Sequence, residues 1–161
     1  MMCYDNSEML TRPIDLMSSH KPLNLTSPKQ RQGSLFEQQA CEFLQSQGLI
    51  VIAKNWQQPK VGELDLVMLE IGSAWSTLVF IEVRQRQYSG FGGAALSVTA
   101  SKQRKVIKTA QYFLQQHPEY EDYDCRFDVI AYDTVSNHFK SSGQSIENQP
   151  QWFKGAFIAG T

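Results

Sequence analysis

Charged side chains interrupt two short stretches that otherwise have the composition of buried strands. The first stretch reads VGELDLVMLE and contains Glu63 and Asp65, and the second reads TLVFIEVRQR and contains Glu82 and Arg84. Side chains alternate between the two faces of a strand, so Glu63 and Asp65 share one face. For the same reason Glu82 and Arg84 share a face of the second strand. If the two strands pair as a hairpin, these faces can coincide near one edge of a sheet.

Such a group of carboxylates has a direct chemical implication. Two carboxylates about 4 Å apart repel each other by roughly 4 kcal/mol at an effective dielectric constant of about 20. A divalent cation or a neighbouring arginine would offset this repulsion. Oxygen ligands without a nearby Cys/His set favour Mg²⁺ or Mn²⁺ over zinc. The structural alternative is that Glu63 and Asp65 lie in water at a strand end, with Arg84 pairing with Asp65 across the hairpin.

A stretch without a single Asp or Glu, from Val83 to Pro118, follows the acidic residues directly. Its six basic residues are Arg84, Arg86, Lys102, Arg104, Lys105 and Lys108. Basic side chains neutralise phosphates and a neighbouring metal activates water, so this combination is typical of phosphodiester chemistry. A solvated helix face is the alternative explanation for the last four. The glycine loop SGFGGAA within this stretch would allow a phosphate to approach the backbone closely.

The remaining elements predict a single α/β domain around these residues. GSLFEQQACEFLQSQG has a helical apolar stripe that begins near Gly33, with Ser34 as its cap. LIVIAKNW, ELDLVMLE and TLVFIEVR predict an antiparallel meander of three strands. SKQRKVIKTAQYFLQQH predicts a helix capped by Thr99 or Ser101 and ended by Pro118. CRFDVIAY then predicts a fourth strand parallel to the third, and WFKGAFIA a last strand or short helix.

Composition limits the class of protein. The chain has 161 residues, of which 42% are hydrophobic, and this is enough for one domain with a core. Residues 1–30 are polar and rich in proline, which predicts a flexible tail before a single domain over residues 31–161. The net charge of −1 excludes a nucleic-acid-binding protein whose whole surface is basic, although a local basic patch stays open. Cys3, Cys41 and Cys125 form no metal or redox motif, and we expect neither a membrane span nor a signal peptide. We therefore expect a cytoplasmic protein.

Taken together, these segments resemble the YraN family of uncharacterised proteins. That family is similar to restriction-endonuclease-like PD-(D/E)XK nucleases and to Holliday-junction resolvases. The resemblance covers about residues 33–158 and rests on GSLFEQQACEFL, VGELDLV, LVFIEVRQR, SKQRKV, CRFDVIA and FKGAF. It implies an αβββαβ core, with a mixed sheet flanked by helices, and a Mg²⁺-dependent nuclease-like site.

The resemblance also implies roles for individual residues. It places Glu37, Asp65, Glu82, Arg84 and Gln103 in the catalytic site, with Asp65 and Glu82 as ligands of Mg²⁺ or Mn²⁺. Independently of the resemblance, the basic stretch predicts nucleic-acid binding by Arg86, Lys102, Arg104 and Lys105. Asp128 matches a further acidic position, for which a structural role is an equal alternative.

One departure from the family pattern concerns Arg84, which stands where the (D/E)XK motif has lysine. Arginine stays charged and cannot act as a base, although it can hold a phosphate. Three functions therefore stay open: a metal-dependent endonuclease acting on DNA, branched DNA included; a non-catalytic nucleic-acid-binding protein on a nuclease scaffold; and a protein-interaction module. We expect DNA as the partner and no membrane association. The sequence leaves the oligomeric state open, a homodimer included.

Overall fold

The computed structural model describes residues 28–87, 98–134 and 150–159. In chain order the elements are α1 (Pro28–Ser46), β1 (Ile50–Gln58), β2 (Gly62–Ile71), β3 (Ser76–Gln87), α2 (Ala100–Gln116), β4 (Asp124–Thr134) and β5 (Gln151–Phe157). A single 3₁₀ turn, Pro118–Tyr120, follows α2. Most of the predicted tail, Cys3 and the glycine loop lie outside the described residues.

The five strands form one mixed sheet in the order β1-β2-β3-β4-β5. The first three strands pair antiparallel, which confirms the predicted meander. β3 pairs with β4 in parallel from Thr77 with Asp124 to Gln87 with Thr134. A parallel pair cannot be joined by a tight turn, so the chain crosses over through α2. β5 adds antiparallel to β4 as a strand. The predicted α/β fold with a restriction-endonuclease-like core is confirmed.

The two helices cover opposite faces of the sheet. Successive residues of β3 alternate between two apolar clusters: Val79 and Ile81 pack in the cluster under α1, and Leu78 and Phe80 in the cluster under α2. Each helix contributes an apolar stripe to its own cluster, from Phe36 to Leu44 in α1 and from Val106 to Phe113 in α2. The sheet is therefore buried on both sides, which explains why its inner strands read as nearly continuous apolar runs.

The first helix starts earlier than the sequence pattern indicates. α1 begins at Pro28, so Ser34 lies inside the helix and is not its cap. The prediction failed because Gly33 was taken as a boundary, whereas the preceding PKQRQ segment consists of good helix formers behind a proline in the first turn. The end of α1 was predicted correctly, since the helix stops before Gly48, whose φ is +91°.

The second helix follows its predicted caps. The side-chain oxygen of Thr99 accepts a hydrogen bond from the backbone N–H of Lys102 at 3.3 Å, and the helix ends just before Pro118. Neither helix of the described ranges is long and apolar enough to cross a membrane.

Candidate active site

Two carboxylates meet where the β2–β3 ladder stops. The last backbone pair on that side is Leu66 with Ile81, so the next residue of each strand is Asp65 or Glu82. Beyond this pair Oδ2 of Asp65 accepts a hydrogen bond from the backbone N–H of Val83 at 2.8 Å. The aspartate side chain thus takes the place of a backbone acceptor on the neighbouring strand. The structure therefore brings Asp65 and Glu82 together at one end of the hairpin.

Glu82 is buried, with 4% of its surface exposed, and among the residues that the structure describes two basic side chains contact it. Its Oε1 lies 3.0 Å from Nζ of Lys102 in the first turn of α2, and 3.6 Å from Nε of Arg84 on its own strand. Arg84 thus pairs with Glu82, whereas the structural alternative paired it with Asp65, so that detail of the alternative is wrong. Lys102, predicted to bind phosphate, is the basic residue nearest to Glu82 among the side chains that the structure describes.

The surroundings of Asp65 disfavour its ionised form. Burial and then the negative charge of Glu82 raise the pKa of Asp65 to about 7, against the lowering effects of the Val83 N–H and of Lys102. A carboxyl group with such a pKa is partly protonated near neutral pH, because burial and the neighbouring charge of Glu82 both disfavour its ionised form. Additional positive charge next to Asp65 and Glu82 would therefore be favourable.

Glu37 joins the same electrostatic cluster from α1. Burial raises its pKa, the side chain of Asn55 stabilises its carboxylate by a hydrogen bond, and the charges of Glu63 and Glu82 raise the pKa further. The structure thus brings Glu37 close enough to the strand carboxylates to interact with them. Asn55 was not identified from the sequence. The available signal was a polar residue within the strand pattern LIVIAKNW.

Asn55 also has a backbone conformation that few residues adopt. Its φ is +49°, a left-handed value that asparagine tolerates better than most residues do. Its neighbours Lys54 and Trp56 pair with Leu66 and Leu64, so Asn55 lies level with Asp65 on the adjacent strand. The left-handed residue therefore lies beside the strand carboxylate Asp65.

The donor set can be compared with the needs of Mg²⁺ or Mn²⁺. Within the described ranges no group of three His, Cys, Asp or Glu side chains is arranged to hold a metal ion. Mg²⁺ commonly binds through one or two carboxylates and completes its shell with water and substrate phosphates. Asp65 and Glu82 fit that limited role, because their mutual repulsion is what a cation would relieve.

The remaining predicted site residues are Gln103, Arg104, Lys105 and Arg86. Nε2 of Gln103 donates a hydrogen bond to the carbonyl oxygen of Val98 at 2.8 Å, so its amide holds the chain that enters α2. Arg104 and Lys105 are exposed on α2, a helix with four basic side chains and no acidic one. The side chain of Arg86 lies outside the described part of the structure.

Asp128 has a structural role. It is fully buried, and its two oxygens accept hydrogen bonds from Nε and Nη2 of Arg126, Nε1 of Trp152 and the backbone N–H of Gly155, at 2.8–3.0 Å. Arg126 in turn forms an ion pair with Glu70. The carboxylate thus fastens β5 to β4.

The position of Asp128 in the sheet also separates it from the candidate site. Asp128 alternates along β4 with Ile130, which packs in the cluster under α1. Glu82 alternates along β3 with Phe80, which packs in the cluster under α2. The two carboxylates therefore belong to opposite faces of the sheet, and the structural alternative stated for Asp128 is correct.

A family model and several relatives match most of this chain. A sequence model described as Uncharacterised protein family UPF0102 matches residues 36–132. A UPF0102 protein of Psychrobacter cryohalolentis is 67% identical over 168 residues, covering 98% of each chain. One from Psychrobacter arcticus is 68% identical, covering 99% of this chain and 98% of the relative. One from Pseudomonas putida is 45% identical over 127 residues, covering 79% of this chain and 93% of the relative.

The matched region contains most of the features described above. It runs from Phe36 in the apolar stripe of α1 to Tyr132 near the end of β4, and it includes Glu37, Asp65, Glu82 and Lys102. The resemblance stated from the sequence is thereby confirmed: the chain belongs to the uncharacterised protein family UPF0102, the YraN family.

Proposed function

We propose that the protein is a Mg²⁺- or Mn²⁺-dependent endonuclease that acts on DNA. The observation that carries this proposal is the pair Asp65 and Glu82, two carboxylates that meet at the end of a strand ladder, where burial and the charge of Glu82 raise the pKa of Asp65. Rigid strands hold both carboxylates, and α2 adds a basic surface beside them. Carboxylates next to basic groups are the combination that metal-assisted phosphodiester hydrolysis needs.

Each side chain has a separate task in this proposal. Asp65 and Glu82 would hold the metal ion, which when bound lowers the pKa of a water molecule and stabilises negative charge on the phosphate. Arg84 presents a planar guanidinium that can contact a phosphate through two parallel hydrogen bonds. Glu37 contributes further negative charge from α1 and, through Asn55, ties that helix to the acidic end of the sheet.

Lys102 supplies the ammonium group that β3 lacks at Arg84. It reaches Glu82 from α2 at 3.0 Å, closer than Arg84 does. An ammonium has three rotatable donors and can orient a water molecule or a phosphate oxygen next to the carboxylates. The arginine at the motif position therefore leaves the proposed site with a lysine, delivered from a different element.

The test is cleavage of labelled junction, duplex and single-stranded DNA with Mg²⁺ or Mn²⁺. Wild type should cleave at least one substrate, and Asp65→Asn and Glu82→Gln should each lose cleavage by about 100-fold or more. Asp122→Asn, an exposed acid in the turn before β4, is the matched control and should cleave as wild type does. Equal activity in Asp65→Asn and wild type would exclude the proposed site.

A non-catalytic nucleic-acid-binding protein is the second candidate, and Arg84 at the lysine position favours it. In that case wild type binds DNA without cutting it under any metal condition. Asp65→Asn then binds as tightly as wild type or more tightly, because it removes negative charge next to the phosphates. Measuring binding and cleavage on the same substrates separates the two functions.

A further inference from the structure

A groove runs between the β1–β2 hairpin and α2, beside the carboxylate site. It has a volume of about 610 Å³ and is lined by Gln57, Gln58, Pro59, Lys60, Val61, Gly62, Glu63 and Lys105. Its lining includes two amide side chains and two lysines, against a single acid. Glu63, at one end of the lining, lies two residues from Asp65 on the same strand.

The two walls of the groove are held together closely. A Cβ atom at Gly62 would lie 2.6 Å from Oγ1 of Thr109, whose hydroxyl donates a hydrogen bond to the carbonyl oxygen of Lys105. At the far end Gln116 of α2 donates a hydrogen bond to Gln58 at 2.9 Å. The hairpin is therefore fixed against the helix at two points, and the groove is preformed.

The hairpin turn carries a lysine where its backbone favours glycine. The N–H of Val61 bonds to the carbonyl oxygen of Gln58 at 3.1 Å, which closes a turn with Pro59 and Lys60 at its centre. The φ of Lys60 is +64°, the left-handed value of the third residue of a type II turn, where glycine or asparagine is usual. A strained residue of this kind is a reason to look for a function of its side chain.

Basic side chains on α2 link the carboxylate site to the groove. Lys102 contacts Glu82, and Lys105 follows it by three residues, so the two lysines are neighbours on the helix surface. Lys60 adds a third cation from the opposite wall. No acidic side chain occurs on α2 from Ala100 to Gln116. Positive charge thus leads away from the site in one direction.

We propose that this groove binds the sugar–phosphate backbone of a DNA strand that leads out of the carboxylate site. Lys60 and Lys105 contact phosphates from the two walls, and the amides of Gln57 and Gln58 donate hydrogen bonds to phosphate or sugar oxygens. That the bound strand leads out of a catalytic site rests on the proposed function. Binding of DNA in the groove does not itself require cleavage.

The test measures DNA binding by fluorescence anisotropy in EDTA, where a metal-dependent nuclease does not cut, with a labelled oligonucleotide in single-stranded and duplex form. Lys60→Gly and Lys105→Gln should each weaken binding about five- to tenfold at low salt. The double variant should reduce the slope of log K against log salt by about 1.8 for duplex or about 1.4 for a single strand. Lys54→Gln, an exposed lysine of β1 outside the groove, should bind as wild type does.

Lys60→Gly makes this test independent of folding. Glycine accepts the left-handed backbone, so this variant should melt at or above the wild-type temperature while binding DNA more weakly. Groove variants that bind as Lys54→Gln does, or a wild type that does not bind DNA, would overturn the proposal. Weakened binding in these variants without cleavage by wild type would uphold the groove and count against the endonuclease. Cleavage by wild type with unchanged binding in the double variant would support the endonuclease and count against the groove.

Discussion

Lys102 Nζ lies 3.0 Å from Oε1 of Glu82, and this ion pair joins the first turn of α2 to the buried part of β3. Glu82 has 5% of its side chain exposed, so water screens the pair only weakly. The same ammonium also lowers the pKa of Asp65. One side chain from the helix therefore moderates the charge of both strand carboxylates, which makes Lys102 the most informative residue to change.

Lys102→Met should destabilise the metal-free protein by about 2 kcal/mol, because a buried carboxylate then loses its nearer cation among the described residues and Arg84 lies further away. The partial exposure of the lysine reduces this value from that of a fully buried pair. Urea unfolding of wild type and variant measures the difference. Lys108→Gln, an exposed lysine of the same helix, is the control and should change stability by no more than about 0.5 kcal/mol.

The same substitution should increase the stabilisation by Mn²⁺, because no ammonium then competes for Glu82. Thermal melting with and without Mn²⁺ gives the shift for wild type and Lys102→Met. A smaller shift in the variant than in wild type would contradict competition between lysine and metal at this carboxylate.

The pKa of Asp65 predicts the pH dependence of stability without metal. Its folded-state pKa of about 7 is above the ordinary value of 3.8, so between these values the folded protein binds more protons than the unfolded chain. Its contribution to stability is therefore complete below pH 4 and is lost as the pH rises through 7. We expect the melting temperature to fall by several degrees between pH 5 and pH 8 because of this group.

Asp65→Asn isolates that effect, because its amide oxygen can still accept the Val83 N–H. The variant should be more stable than wild type at pH 8 by about 2 kcal/mol, roughly half of the limit set by about 1.4 kcal/mol per pKa unit. Near pH 4 the difference should vanish. Equal stability of the two proteins at pH 8 would show that the negative charge of Asp65 does not destabilise the folded protein. The variant should also lose the Mn²⁺-dependent rise in melting temperature.

Asp128→Ala should destabilise the protein by about 3 kcal/mol or more, since it leaves Arg126, Trp152 and the Gly155 N–H without their buried acceptor. Asp124→Ala, an exposed acid on the same strand, is the control. Denaturant unfolding measures both variants. The Mn²⁺-dependent shift in melting temperature should persist in Asp128→Ala, and its loss would place Asp128 in the metal site after all.

Gly62→Ala should cost about 1–3 kcal/mol, because the added methyl group meets Oγ1 of Thr109 at 2.6 Å. Thr109→Ala removes that oxygen and should recover most of the loss when combined with Gly62→Ala. A double-mutant cycle measures this coupling. Additive effects of the two substitutions would mean that the hairpin and α2 are not in contact at this point.

The sequence predicted the order and pairing of the strands because these depend on local apolar patterns. Alternation along β2 and β3 and the helix between β3 and β4 were sufficient for the meander and the parallel pair. Near the C-terminus the pattern left a strand and a short helix open. The segment forms a strand because it pairs with the edge of β4, and Phe153 and Phe157 then pack in the apolar cluster under α2.

The contacts of the candidate site were harder to predict, since they join distant parts of the chain. The ion pair of Lys102 with Glu82 depends on how α2 packs on the sheet, and no spacing in the sequence specifies it. Asn55 enters the cluster through a left-handed backbone within a strand. The role of Asp128 depends on Trp152 and Gly155 of β5, two residues that become its neighbours only in the completed sheet.

The parallel pairing of β3 with β4 has a consequence for the order of folding. The β1–β2–β3 meander closes short loops, whereas Thr77 meets Asp124 only after the whole crossover has formed. Contacts of small sequence separation cost less loop-closure entropy than distant ones. Glu82 belongs to the meander and Lys102 to the crossover, so we expect their ion pair to form after the folding transition state. Removing it should then accelerate unfolding and leave the folding rate nearly unchanged.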